Sequence, residues 1–439
     1  MLPYHAGQTP MTKHSLFPPA SPASRALLRT AAFFVIASSA AALGITACAT
    51  DNGDSVHGPQ FGSPIDRIDA GSGEGAAPVE GGGPGPGTDG GADTGTDSST
   101  APTCSSGTVV VLAGSDTTLS GASQIKGGAW SGAAIAGGAA KSIPSVAATS
   151  TGFVALTRGP SDALQSLSYA TSWSGVSTLG SLTTLGSPAL AITGTKAHGV
   201  YLDGTNKFFR VESAGTAFTT TGDAVMPAGG DQSYGPSAGT LAAAGTDIVF
   251  AQAGDDEGLY VQKRDTAWST ADAIGGAGTL KTMPPALLAI DGKYDLVLLY
   301  ADKTAPHVLG FATRDATTKA WSTATVTQST AQTGEQLAVA RISQSVVLVT
   351  FRGNNMRPYF MTGTLGASSI TWSVPAPLLP DTSTVDTAPA IAKGVCGDDA
   401  IAVYGAAGQV RATRYRGGVW TVPEPVTGAS GGRISVATR

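Results

Sequence analysis

The feature that most constrains this chain is a repeat. An aromatic residue followed by Ser or Thr returns at Trp130, Trp173, Phe218, Trp268, Trp321, Trp372 and Trp420, in steps of 43, 45, 50, 53, 51 and 48 residues. A period near 48 without helical 3.6-residue spacing belongs to propeller blades and argues against helical solenoids. Each unit resolves into four short runs parted by turn residues, as antiparallel meanders require. The first runs, such as 144–149 (PSVAAT) and 188–193 (PALAIT), are built of small residues. They fit the innermost strands, which converge on a central channel where bulky side chains find no room. The second runs are β-branched, as in 108–112 (TVVVL) and 346–351, and read as strands buried on both faces. The third runs alternate, as in 167–170 and 410–415, and the aromatic opens the fourth.

The two ends of the repeat complete each other. The unit that begins at Cys104 lacks an inner run, while the final residues 433–439 (RISVATR) read like PSVAAT and have no second run after them. The C-terminal strand is therefore expected to complete the first blade, closing the ring and removing open edges. The predicted fold is all-β: a seven-bladed β-propeller of four-stranded antiparallel blades over 104–439. A six-bladed ring with an appended hairpin is the alternative, because Phe218 is the one marker that is not Trp.

The chain before the repeat reads as address and linker. Arg25 and Arg29 precede an apolar run at 30–44, shorter than the roughly 20 residues that cross a bilayer. The run ends in Ile45-Thr46-Ala47-Cys48, which resembles the lipobox of bacterial lipoprotein signal peptides. That resemblance implies cleavage before Cys48, acylation of its thiol and, with Ala rather than Asp at position 49, an outer-membrane lipoprotein in the bacterial cell envelope. The expected segments are a signal peptide at 1–47, with Met11 a candidate start, and the lipidated Cys48 with a flexible linker at 48–103. Residues 71–100 alone contain eleven glycines. Such a segment cannot build a core, and its span of roughly 40 Å holds a domain clear of a surface. With Cys48 assigned to lipid, Cys104 and Cys396 remain, and export makes a disulfide between them the expectation. It would lock first and last blades together.

Charge excludes one class of partner. The net charge of -5 divides into +3 over 1–47, -8 over 48–103, and 22 acids against 22 bases in the repeat region. A neutral domain has no counterion-release drive toward nucleic acid. Membrane contact is expected through the lipid anchor only, and the protein is expected to be a monomer.

Candidate ligand residues lie on the turns between second and third strands, at the end of a propeller that usually presents ligands. Arg158 and Arg352 occupy equivalent positions there, and two guanidiniums on one rim can fork onto a carboxylate or sugar hydroxyls. Asp203, Asn354 and Asn355 accompany them. Asp255-Asp256-Glu257 lacks the alternating spacing of a calcium loop, and no metal or cofactor is expected. Gly85–Gly90 matches G-x-G-x-x-G without a strand before it or a helix after it. Gly235–Gly239 matches G-x-S-x-G, again without the helix a nucleophile elbow needs.

At the level of architecture the repeat region resembles bacterial sialidase-like and lectin-like β-propellers. The stretch 402–420 (AVYGAAGQVRATRYRGGVW) is similar to a blade of fucose-binding propeller lectins, and the resemblance places Arg411 and Trp420 where such blades hold sugar. No S-x-D-x-G-x-x-W box of sialidases is present, and the other repeats lack an equivalent of Arg411 with a glutamate partner. The expected function is a noncatalytic module that binds a glycan or protein ligand. The alternatives are a glycoside-processing enzyme using carboxylates such as Asp203, Asp255 and Asp302, or a structural envelope protein.

Overall fold

A computed structural model describes Cys104 and residues 106–215, 217–225, 239–280, 282–380 and 382–439. The signal peptide, Cys48, the linker and Ser237 lie outside the described residues. The described chain forms seven four-stranded antiparallel units arranged as a seven-bladed β-propeller. Blade 2 shows the pattern: inner strand a Ser145–Ala148, then b Phe153–Arg158, c Ala163–Tyr169 and outer strand d Ser177–Thr183. Blades 3 to 7 repeat it, with inner strands Ala189–Thr193, Thr240–Ala244, Ala286–Ala289, Ala338–Arg341 and Ala390–Lys393.

Blade 1 is assembled from both ends of the chain. Its strands b, c and d are Thr108–Gly114, Leu119–Ile125 and Ser131–Ala134. Its inner strand is Arg433–Thr438, with Val110 opposite Ala437 and Leu112 opposite Ser435. Each innermost strand touches those of both neighbouring blades, and Arg433–Thr438 touches Ser145–Ala148 on one side and Ala390–Lys393 on the other. The ring is closed, and the six-bladed alternative is set aside. Cys104 and Cys396 form a disulfide, with Cα atoms 4.9 Å apart, that ties the segment before strand b of blade 1 to the a–b turn of blade 7.

The apolar core lies between blades. Strand b has a blade packed on each of its faces, so it carries a near-continuous apolar run, and Val109 to Ala113 are fully buried. The aromatic markers explain the period: each packs on the preceding blade. Trp173 lies against Gly121 of blade 1, where a Cβ would meet its indole at 2.2 Å. Phe218 joins Val154 and Leu164 of blade 2, Trp372 meets Phe311 of blade 5 edge-on, and Trp420 meets Phe360 of blade 6 likewise. Trp130 of blade 1 packs with Ile401, Val403 and Val410 of blade 7. The aromatics do not all open strand d. Trp173, Trp268 and Trp321 make single bridges to strand c, and strand d follows them. A wide indole needs the full gap between blades, so the chain bends around it before resuming the sheet.

Candidate functional site

Antiparallel strands give the ring two different ends. The b–c turns and the links from each strand d to the next a form one end, called here the mouth. The a–b and c–d turns form the other, and there the chain enters the ring through Cys104. That end is called the tether end.

The mouth opens into a cavity of about 750 Å³ over the central channel. Its wall is made by the starts of the inner strands and by small or apolar residues such as Pro144, Pro188, Leu241, Met283, Pro389 and Ile434. No aromatic ring lines it among the described residues. The charges at its rim are paired within the protein. Arg158 donates to Asp162 and to the Leu185 carbonyl at 2.6 Å, and Lys141 donates to the same carboxylate at 3.1 Å. Those bonds, led by Lys141, hold the Asp162 carboxyl below its ordinary range. Arg352 pairs with Glu335 and reaches the Asp386 carbonyl at 3.3 Å. Arg158 and Arg352 thus stand at equivalent mouth positions, as the sequence predicts, and both clasp the links between blades.

The other turn residues mostly shape their own loops. Asp203 accepts from the Thr205 and Lys207 backbone N–H groups at 2.8 and 3.0 Å. Asp302 accepts from the Thr304 N–H at 2.7 Å, and Asp256 accepts from Gly258 N–H and the Tyr260 hydroxyl. Such bonds define turn geometry and leave the carboxylates on separate blades. Asn354 donates to the Pro306 carbonyl in the neighbouring turn of blade 5, and Asn355 donates to the Tyr359 hydroxyl at 2.9 Å.

Arg411 and Trp420 share a different surface, the flank of blade 7 that faces blade 6. Strand c of blade 7, Gln409–Arg416, pairs Arg411 with Tyr404 and Tyr415 with Trp420. Directly opposed residues point to one side of a sheet, and so do residues two or four apart. Arg411, Tyr404, Tyr415 and Trp420 therefore share that flank. Tyr404 packs there with Leu378 and Leu379, and Phe360 lies 5.6 Å from the Trp420 ring and 5.7 Å from the Tyr415 ring. Arg411 and Trp420 are both half-buried. Arg411 donates to the Gln409 side chain at 3.4 Å, and its Nε is without a partner, as is the Trp420 Nε1. The flank sets the half-buried Arg411 and Trp420 about 13 Å apart along the strand, with Tyr404, Tyr415 and Phe360 packed between the blades around them.

The tether end carries ion pairs that the sequence reading missed. Arg314 of blade 5 is buried, donates to both oxygens of Asp295 at 2.8 Å and reaches Asp247 of blade 4 at 3.3 Å. Arg414 binds Asp398, Glu424 and, across the seam, Gln124 of blade 1, while the Trp130 indole donates to Glu424 at 2.8 Å. In blade 3 the buried His198 contacts Thr193 Oγ1 at 2.7 Å, and Glu212 takes Lys196 and Arg210. Burial pushes the His198 pKa down to about 4, and the hydrogen bond from Lys196, with Arg210, draws Glu212 down to about 2. A signal for this layer exists in the sequence: Arg264 and Arg314 occupy the same register near the end of strand c, each bridged to its blade's marker, Trp268 or Trp321. Arg414 instead lies one residue before the equivalent Tyr415 and faces blade 1.

The fold and its sites define the class, a seven-bladed β-propeller. No protein-family model matches the sequence, and no curated protein matches it. Among solved structures the chain is similar to the BP39L lectin from Burkholderia pseudomallei, with a TM-score of 0.59 and 12% identity over 74% of this chain and 96% of that one. It also aligns with the Aleuria aurantia lectin in complex with Fucα1-6GlcNAc, with a TM-score of 0.44 and 12% identity over 65% of this chain and 96% of the lectin. At such identity the first likeness concerns the fold alone.

Proposed function

We propose that this protein is a noncatalytic carbohydrate-binding propeller, held at the outer membrane of a bacterial envelope by acylated Cys48 and acting as a monomer. The observation that carries the reading is the blade 7 flank, where Trp420 and Arg411, both half-buried, reach solvent beside the core rings of Tyr415 and Phe360. Sugars present apolar C–H faces and hydroxyl acceptors, and this pairing meets both. The likeness to a propeller lectin supports it, and the Ile45-Thr46-Ala47-Cys48 sequence supports the anchor. Of the candidate carboxylates Asp203, Asp255 and Asp302, the first and last are committed to their own turns and all three stand on separate blades, which weighs against the glycosidase reading.

A glycan array probed with the full chain tests the proposal, followed by calorimetric titration of the strongest hit. Arg411→Ala and Trp420→Ala are expected to weaken binding at least tenfold, while Asp386→Asn at the mouth leaves it unchanged. An empty array, or hits insensitive to both flank variants, would refute it. The mouth favours a second kind of ligand. Its proline-rich and leucine-rich wall without aromatics suits an uncharged peptide segment, and a peptide display selection whose hits are lost in Leu241→Asp tests that reading.

A further inference from the structure

The repeat region is neutral as a whole, yet its two ends present opposite charge. At the tether end three lysines and Arg416 stand farther out than the carboxylates they pair with. Lys196 has 59% of its side chain exposed against 20% for Glu212, Lys263 42% against 13% for Asp247, and Lys319 43% against 13% for Asp295. Arg416 has 45% against 2% for Asp398. At the mouth the order reverses. Arg352 has 12% exposed against 39% for Glu335, Arg158 22% against 37% for Asp162, and Arg433 34% against 69% for Asp116. At the tether end Asp291 beside Arg341 and Glu424 beside Arg414 are more exposed than their partners, and the buried Arg210 and Arg314 lie beneath the carboxylates they share with Lys196, Lys263 and Lys319. Lys126, Lys293 and Lys393 stand exposed on the tether-end turns and make no ion pair among the described residues. Bases outnumber acids at this end, and acids outnumber bases at the mouth.

From this polarity we infer that the tether end is a docking surface for an anionic lipid bilayer. Charge complementarity selects that partner. Lys126, Lys293 and Lys393, without an ion pair among the described residues, share this end of the ring with the exposed Lys196, Lys319 and Arg416. The lysines and Arg416 that cap shared carboxylates meet a negative surface before those carboxylates do. Lysines held near a negatively charged leaflet each favour binding, and the attraction fades within about 8 Å at physiological salt. The inference uses neither Cys48 nor the sugar-binding flank. Docking by this end leaves the mouth and its acidic rim turned away from the bilayer.

The test is co-sedimentation of the full chain carrying Cys48→Ser with vesicles of phosphatidylcholine alone or with one third phosphatidylglycerol. The apolar run 30–44 and the cations Lys13, Arg25 and Arg29 before it contribute alike to every variant, so the change in the ratio of the two partition coefficients between variants reports the docking face. The expected ratio is well above one at 0.1 M salt and falls toward one at 0.5 M. Lys126→Gln, Lys293→Gln and Lys393→Gln together are expected to lower it on the order of 100-fold, counting about fivefold for each lysine lost, and the Glu versions, which add charge, lower it further. Reversing charge at the mouth, Lys207→Glu with Lys303→Glu, leaves it unchanged. Equal partition to both vesicles, or an equal loss from the mouth variant, would overturn the inference.

Discussion

The two ends of the ring are made from the same repeats and solve different problems. At the mouth, rim ion pairs such as Arg352 with Glu335 join strand ends to the links between blades, and water reaches the carboxylate. At the tether end, Arg314 lies sealed between Asp247 of blade 4 and Asp295 of blade 5. Exposed pairs contribute little to stability, whereas removing one member of a buried pair strands the other without water. The comparison teaches that the tether end holds the ring together and that the mouth is free to vary.

Removing 433–439 has the largest expected effect. Strand b of blade 1 would lose its inner partner, Cys104 and Cys396 would lose the strand that aligns them, and thermal unfolding is expected to show no cooperative transition. Arg314→Met comes next, with a loss of about 3 kcal/mol in urea unfolding, the low end for a broken buried pair, because Asp247 and Asp295 keep only the half-exposed Lys263 and Lys319 as partners. Cys104→Ser with Cys396→Ser is expected to cost about 2–4 kcal/mol, the usual contribution of a crosslink that closes a long loop. Acid should destabilise the tether end at blade 3. His198 is held neutral down to about pH 4 when folded but binds a proton near 6.5 when unfolded. The unfolded state therefore takes up more protons between those values, and stability falls as pH drops through that window. Glu212, ordinarily near 4.5 and drawn to about 2, extends the loss below it. His198→Gln should flatten the decline above pH 4 in unfolding midpoints measured from pH 7 to 4. Arg352→Met at the mouth is the smallest, under about 1 kcal/mol, since the Glu335 it releases is open to water. A loss there equal to that of Arg314→Met would erase the distinction between the ends.

The sequence carried the ring but little of its wiring. Trp130 to Trp420 mark the period because a side chain that fills the gap between blades must recur once per blade, and the C-terminal SVAT betrays its inner-strand character by its small residues. The pairing of Cys104 with Cys396 followed from the same closure. The tether-end pairs were hidden because their partners are far apart in the chain, 67 residues for Arg314 with Asp247 and 290 for Arg414 with Gln124. Only the ring geometry brings them together, although the equivalent register of Arg264 and Arg314 was there to be read. At the mouth, the turns predicted the places of Arg158 and Arg352 and not their engagement with Leu185, Glu335 and Asp386, which belong to links of irregular length. The flank shared by Arg411 and Trp420 came from a resemblance, and the structure adds Phe360, Tyr404 and Tyr415 around it.

If one end anchors and the other carries an acidic rim over a cavity that no aromatic ring lines among the described residues, sugar is held on the side of the ring. Amide hydrogen exchange of the full chain, with and without the strongest glycan hit, measures this directly. The account predicts added protection in strand Gln409–Arg416, at Val419–Trp420 and in the Pro358–Leu365 strand that carries Phe360, with the mouth turns unchanged. Protection centred on the mouth turns around Asp203, Asp302 and Asn354 would contradict it.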